Sequence, residues 1–352
     1  MRAILILYIL GGFMKKTLII TSLFFLLLLG WLLLPVDAVE DANNQVIVES
    51  ITQLTFNGTG GYRQDWSPDG GKIVFEKWDE NGTGSKAAIW VVNSDGTNLK
   101  QLTLKAKFDF TGPKWSHNGK KILFYTWGND SKVWLMDSDG SNPKELFNGY
   151  ASAWTPDDRI AFVRNSSGAN ELVTVNIDGT DERKILPVSF EIDPPVWSPD
   201  GTKIAISDSR SGNWDIFVIN ADGSNERQLT GDLKDEWNPS WSPDGTKIVY
   251  HKFIQRHFDE KGNPKGDDFD IMVMNSDGSN KIKLNIDVGF QAFPSWSPDG
   301  RKIAFFKNGI WVMNLKSSEM PAPATPASKS TPSFESLLAI ASIGAALLLR
   351  KR

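Results

Sequence analysis

Cysteine is missing from all 352 residues, and histidine is nearly so, with three copies. Without thiols there is no disulfide, no thiolate zinc site and no cysteine nucleophile, and His117, His251 and His257 give little material for an imidazole metal centre. An excess of basic charge is missing too, since 38 Lys and Arg stand against 42 Asp and Glu for a formal charge of -4. Nucleic-acid partners need a basic face that concentrates phosphate, so neither DNA nor RNA is expected. The chain also lacks a Gly-x-Ser-x-Gly elbow for a serine nucleophile. What it does have is 40% hydrophobic residues and 11% aromatics, enough for a large buried core.

The two ends read as export and attachment. Lys15 and Lys16 precede an apolar run from Leu18 to Leu34, and Val36-Asp37-Ala38 places small residues where signal peptidase reads. Residues 1–38 are therefore expected to be a secretory signal starting at Met14, or an uncleaved membrane segment, because the run approaches the ~20 residues that span a bilayer. At the other end, a Pro/Ala/Ser/Thr-rich linker over residues 317–333 leads to a hydrophobic anchor or sorting segment over 334–352. That segment holds an apolar stretch, Phe334 to Leu349, and the basic cluster Arg350-Lys351-Arg352. Basic residues stay cytoplasmic, which puts the body of the protein on the outer face of the membrane, on a flexible stalk.

Internal repetition fills the middle. Trp66-Ser67-Pro68-Asp69-Gly70 recurs at Trp197 to Gly201, Trp241 to Gly245 and Trp296 to Gly300, with degenerate versions at Trp115 to Gly119 and Trp154 to Asp158. Successive tryptophans are 49, 39, 43, 44 and 55 residues apart, near the roughly 40–50-residue period of four-stranded propeller blades. A strand with a basic first residue follows each motif: Lys72 to Phe75, Lys121 to Phe124, Arg159 to Phe162, Lys203 to Ile206, Lys247 to Tyr250 and Lys302 to Phe305. Further on comes a second: Ile89 to Val92, Val133 to Met136, Leu172 to Val175, Ile216 to Ile219, Ile271 to Met274 and Ile310 to Met313. Both runs are apolar without alternation, as in strands covered on both faces.

An Asp-Gly hairpin turn closes every repeat but the sixth. The sixth stops near Leu315, while an unmatched strand, Ser50 to Thr55, precedes the first and ends in the same Gln-Leu-Thr as Gln101 to Thr103 and Gln228 to Thr230. That strand is expected to complete the last blade. The fold class is then all-β over residues 46–316, a six-bladed β-propeller of four-stranded antiparallel blades closed by its amino-terminal strand, with hydrophobic terminal helices flanking it.

These repeats resemble the TolB-like, WD-related propeller family across about residues 46–316. The resemblance implies the propeller alone. The amino-terminal α/β domain of the family's namesake has no counterpart here, so nothing of its import machinery is carried over. The carboxy-terminal end is similar to archaeal tripartite sorting signals, which a sortase-like protease removes and replaces with a lipid. Pro332-Ser333-Phe334 stands where that family has Pro-Gly-Phe. Lipid attachment and a retained membrane tail both remain open.

In Ser-Pro-Asp-Gly the residue types are those of a turn, with Pro fixing φ and Ser and Asp bonding local backbone, so the motif is read as hairpin chemistry and its Trp as a wedge between blades. Asp137-Ser138-Asp139-Gly140 lacks the remaining ligands of a calcium loop. A peptidase reading, in which a hydrolase half would accompany the propeller, is not expected. In repeat five, Lys252 to Phe269 reads as a long loop whose Asp259, Glu260, Asp267 and Asp268 are the only metal candidates. Gly262, Pro264 and Gly266 favour a solvated insertion instead, so no metal or other cofactor is expected.

Function is placed on the face where loops join the second and third strands and connect one blade to the next. Tyr62, Phe110, Tyr150, Trp237 and Phe290 are the expected binding residues, with Trp78, Trp127 and Trp214 farther out, for a protein or glycan partner of a monomeric propeller. An extracellular glycan hydrolase or lyase using Asp193, Asp235 and Glu236 is the catalytic alternative, and an envelope structural protein is the third. Sequons at Asn57, Asn81, Asn129 and Asn165 fall on the same face, and glycans there would leave blades four to six as the binding side.

Overall fold

The computed structural model describes residues 46–55, 62–78, 87–103, 109–128, 130–166, 169–188, 192–284 and 289–316. The signal segment, the linker, the carboxy-terminal anchor and the sequons at Asn57, Asn81 and Asn129 lie outside them. Among the described residues there is no helix and none long and apolar enough to cross a membrane.

The first strand, β1 (Val48–Gln53), stands apart from its neighbours in sequence. Blade one comprises β2 (Tyr62–Trp66), β3 (Lys72–Trp78), β4 (Ala87–Asn93) and β5 (Lys100–Gln101), and blade two β6 (Phe110–Trp115), β7 (Lys121–Thr126), β8 (Lys132–Asp137) and β9 (Lys144–Asn148). Blade three is β10 (Tyr150–Trp154), β11 (Ile160–Ser166), β12 (Ala169–Val175) and β13 (Arg183–Val188), and blade four β14 (Val196–Trp197), β15 (Lys203–Asp208), β16 (Asp215–Asn220) and β17 (Arg227–Gln228). Blade five is β18 (Glu236–Trp241), β19 (Lys247–Phe258), β20 (Pro264–Asn275) and β21 (Ile282–Lys283). Blade six has β22 (Ala292–Trp296), β23 (Lys302–Phe306) and β24 (Ile310–Leu315), and β1 is its outer strand, in the order β1-β24-β23-β22. Each sheet has four antiparallel strands, and six are described, as the repeats predict.

Closure follows the expected register. Gln53 pairs with Trp311 and Ile51 with Met313, and the Leu54 amide donates to the Ile310 carbonyl at 2.8 Å. The apolar runs are buried because each hydrophobic cluster straddles one junction between blades. Val74, Ile89 and Leu102 of blade one pack on Trp115 and Ile122 of blade two, while Leu54, Ala304 and Val312 of blade six pack on Trp66 and Ile73 of blade one. With a blade on either side, both faces of a middle strand are interior.

The repeat motif serves as both turn and wedge. Ser67 Oγ accepts the Lys72 amide at 2.8 Å and donates to Asp69 Oδ1 at 2.6 Å, and Asp69 also accepts the Gly71 amide, which holds its carboxyl below the usual carboxylate range. Three of the motif tryptophans donate an indole N–H to the preceding blade, Trp66 to Ser295 O (3.1 Å), Trp154 to Lys114 O (3.2 Å) and Trp241 to Val196 O (3.0 Å).

The innermost strands carry a feature the repeat does not announce. Arg63, Gly112, Ala151, Asn238 and Phe293, each three residues before its tryptophan, have φ between 51° and 58°. The register to the second strand shifts at each of these points. These are bulges that turn the inner strand as it passes the channel. Blade four has Pro194 at that place, whose ring forbids positive φ, and its inner strand shrinks to two residues.

One expectation is corrected. Lys252 to Phe269 is not a loop, because β19 and β20 run on as a two-stranded ribbon past the edge of the blade, Gln255 opposite Asp268 and His257 opposite Gly266. A ribbon with no third strand buries little, so its sequence needs no apolar alternation, and Asp259 turns its tip by accepting the Lys261 and Asn263 amides at 2.8 Å each.

Closure makes a direct prediction. Leu54 is 6% exposed and sits in the junction of blades six and one. Leu54→Ala is expected to cost about 2–4 kcal/mol in urea unfolding, whereas Ile47→Ala, at a side chain 44% exposed, is expected to change stability by less than about 0.5 kcal/mol.

Candidate functional site: the loop face and the channel mouth

At the centre, polar groups from several blades meet around Arg63. Its guanidinium donates to the Tyr125 hydroxyl of blade two and lies 3.6 Å from Asp193 at the start of blade four, on the far side of the ring. Asp193 is buried, and its Oδ2 accepts Ser207 Oγ at 2.7 Å and the Asn238 amide of blade five at 3.2 Å. Glu76 of β3 accepts the Thr111 hydroxyl and, at 3.3 Å, the Gly112 amide. Burial pushes the Glu76 carboxyl up, opposed by Arg63 and by the bonds from Thr111 and Gly112, and burial pushes the Tyr125 hydroxyl up to about 12. Burial alone would lower the Arg63 pKa, but Tyr125, Asp193 and Glu76 more than offset it. The channel is thus tied across its middle, leaving a hollow of about 80 Å³ lined by Arg63, Gln64, Asn238 and Phe293 among others.

An aromatic seam lies beside this node. His251 is buried and stacked on Trp237 at 5.4 Å, and Trp237 also meets Trp214 and Phe269 at 6.2 and 5.7 Å. Phe269 is edge-on to Phe290 at 4.9 Å, and Tyr62 contacts Phe290, Phe293 and Phe306 at 6.2, 5.4 and 4.7 Å. The His251 imidazole is pushed down to about 3, first by burial and then by Arg63, so it is neutral, with Nδ1 accepting the Phe293 amide at 3.3 Å. Outside the seam, Tyr62, Phe290 and Phe306 floor a hollow of about 610 Å³ whose other wall is the ribbon at His257 and Phe258.

Between blades two and three lies a larger cleft of about 990 Å³. Its lining comes from the β7–β8 connection (Trp127, Asp130), the crossing into blade three (Asn148 to Tyr150) and the ends of β11 and β12 (Arg164, Asn170). Trp127 is 52% exposed and stands edge-to-face with Tyr150 at 6.4 Å. Gly149 lets the crossing chain pass, because a Cβ there would meet the Phe162 ring at 2.5 Å and the Val163 carbonyl at 2.6 Å.

The expected binding residues divide accordingly. Tyr62, Trp237 and Phe290 come together in the seam, half-buried, and Tyr150 joins Trp127 in the cleft. Phe110 is a correction: it is 7% exposed and packs on Phe124 and Trp134 inside blade two, because the bulge at Gly112 shifts the register and leaves the first residue of β6 facing inward. Trp78 is 37% exposed at the end of β3.

The acidic candidates do not form a pair facing one opening. Asp193 belongs to the central tie. Asp235 Oδ1 accepts the Trp214 amide at 3.0 Å. Glu236 is buried, 2.9 Å from Lys252, and its carboxyl is raised to about 7, mainly by burial, with Lys252 opposing. Lys252 is itself raised, since Asp232 and Glu236 outweigh its burial. These two directions pull against each other as an ion pair, and the additional Lys252–Asp232 contact reconciles them by matching the ammonium while burial prevails at Glu236.

On the ribbon, Asp267 pairs with Arg256 at 2.7 Å and Asp268 with His257 at 2.7 Å, while Asp259 is used in the turn. Glu260 stands at the same exposed tip. Among the described residues no group of three metal-ligating side chains converges. His117 is an exposed turn residue 3.1 Å from Asp158. Asn165, the described sequon residue, is exposed on the lip of the blade two–three cleft, so the larger opening does not lie on blades four to six.

Sequence reasoning missed Arg63, Glu76, Tyr125 and His251. The available signal was polarity out of place: a carboxyl late in the apolar strand Lys72–Trp78 and an arginine where other repeats have Gly, Ala, Pro, Asn or Phe.

Six four-stranded antiparallel sheets, the last completed by the first strand of the chain, define a six-bladed propeller. The TolB beta propeller domain matches residues 44–199 and 127–264, and the chain belongs to that family. Among solved structures it is similar to a putative TolB from Agrobacterium tumefaciens (TM-score 0.58, 21% identity, covering 76% of this chain and 97% of that one). It is also similar to TolB from Acinetobacter baumannii (0.55, 15%, covering 70% and 64%). An oligogalacturonate lyase in complex with manganese follows (0.50, 15%, covering 78% and 97%). Identities this low establish the shared fold alone.

The neutral, buried imidazole gives a pH prediction. His251 binds its proton near pH 6.5 when unfolded and near pH 3 when folded, so between those values the unfolded state holds more protons. Stability falls as the pH drops from 6.5, by up to about 1.4 kcal/mol per pH unit. Urea unfolding of His251→Gln at pH 7, 5 and 4 is expected to show a shallower decline than wild type.

Proposed function

We propose that this protein is an exported recognition module, held at the outer face of the membrane by its carboxy-terminal segment, that binds a protein or glycan through its loop face without transforming it. The observation that carries this reading is the commitment of the acidic residues at the channel mouth to internal partners: Asp193 to Ser207, Asn238 and Arg63, Asp235 to the Trp214 amide, and Glu236 to Lys252. General acid–base hydrolysis of a glycosidic bond needs two carboxyl groups flanking one substrate position. Here the groups of the right type are tied to internal partners, Asp193 and Asp235 across blade boundaries and Glu236 within blade five. The aromatic surfaces at Tyr62, Phe290, Trp127 and Tyr150 line open hollows instead. A rigid ring presents such surfaces with little ordering cost on binding.

One observation favours the catalytic alternative, namely a Glu236 carboxyl that titrates near neutrality, as a general acid must. Both readings are tested together by presenting the full-length protein in detergent with a glycan panel and with envelope extracts, measuring retention and release of cleaved product separately. Saturable binding without product is expected. Product formation that disappears in Glu236→Gln would reverse the assignment.

A further inference from the structure

The cleft between blades two and three has a composition that points to one ligand chemistry. Its open wall is the exposed ring of Trp127, set edge-to-face against Tyr150, so an apolar face entering the cleft meets a flat π surface. Its floor is the parallel stack of Phe147 from blade two on Phe162 from blade three, with centroids 5.3 Å apart and planes 11° from coplanar.

Around these rings stand amides and a fixed ionic pair. Asn148 accepts from Lys132 Nζ at 2.5 Å, and Arg164 is held by Glu182 at 2.5 Å and by Glu171 at 3.7 Å. Donors and acceptors are therefore interleaved around an aromatic platform, in positions set by their own partners before any ligand arrives.

A sugar ring matches this arrangement, having C–H groups on one face to lie on an indole and hydroxyls at its rim that donate and accept. Charge decides between sugar classes. The charged groups of the lining are already paired, Arg164 with Glu182 at 2.5 Å and Asp130 with Lys132 at 3.2 Å, so a uronate carboxylate meets no unpaired cation among the described lining residues, whereas an uncharged chain needs none. The volume, about 990 Å³, is at the upper end of the ~300–1,000 Å³ typical of ligand pockets and accommodates more than one ring.

We infer that the blade two–three cleft is a binding site for a neutral oligosaccharide, with Trp127 as its stacking platform. This inference rests on the loop-face recognition reading and narrows it to one ligand class and one cleft.

The experiment is titration calorimetry of the full-length protein, produced in a host that does not glycosylate it and purified in detergent. The probes are cellohexaose, mannohexaose, chitohexaose and hexameric oligogalacturonate. At least one neutral hexamer is expected to bind, with oligogalacturonate at least tenfold weaker. Trp127→Ala is expected to weaken the neutral ligand at least tenfold. Trp127→Phe is expected to recover most of that loss, and Ile47→Ala, at a side chain 44% exposed and outside the cleft, to leave affinity unchanged. Trp127 is half exposed, and unchanged thermal unfolding of its variants would show that the loss is local.

Failure of all neutral hexamers to bind overturns the inference, as does preference for oligogalacturonate or indifference to Trp127→Ala. If a glycan binds and is lost instead in Phe290→Ala, or if an envelope protein alone binds the loop face, recognition stands and the cleft assignment falls. If neither glycan nor envelope protein binds, both fall.

Discussion

The hydrogen bonding of β1 to β24 is the constraint on which the rest of the molecule depends. Six sheets arranged around an axis bury both faces of every middle strand only if the last blade meets the first, and that junction is made by residues far apart in sequence, Leu54 against Ile310 and, 229 positions apart, Trp66 against Ser295. An open arrangement would expose the Leu54 cluster and leave β24 as an unpaired edge. Closure converts a series of neighbour contacts into one cooperative unit, so the strands that carry the described loops are fixed relative to one another.

A closed ring still has a centre to fill, and here it is filled by charge. Arg63 crosses from blade one to Asp193 of blade four, while Glu76, Tyr125 and His251 are held nearby in states set by burial. Removing one partner from such a node strands a buried charge, which costs far more than the pair contributes. The positive φ at Arg63 and Phe293, roughly 1–3 kcal/mol of strain each, is borne because the bulge delivers these side chains to the axis. With the axis occupied in this way, ligand-sized space is found at the rim, where blades meet unevenly.

The sequence disclosed what repetition controls. Six Trp-centred motifs gave blade number, hairpin chemistry and the swapped strand, because turn and wedge chemistry need the same residue types each time. It disclosed less where one repeat departs from the others. The bulge position is occupied by Arg, Gly, Ala, Pro, Asn and Phe in turn, since backbone geometry and not side-chain type is what recurs there. Phe110 read as a surface aromatic for the same reason: a register shift of one residue changes which way a strand residue faces. The ribbon of β19 and β20 read as a loop because a two-stranded extension has no core to impose a pattern. Contacts between opposite blades, such as Arg63 with Asp193, leave no trace in spacing at all.

That division also bears on where function sits. Residues that recur are accounted for by the fold: Ser67 and Asp69 by the turn, Trp66 by the junction, Gly70 by positive φ. A residue fully occupied in this way in every blade has no capacity left to distinguish one ligand from another. Discrimination between ligands would have to come from what one blade has and the others lack, such as the exposed Trp127 and the ribbon carrying Phe258. Single connections can change while the closed ring absorbs the change, so the blade two–three cleft can be remodelled without disturbing the strand pairing that keeps the molecule folded.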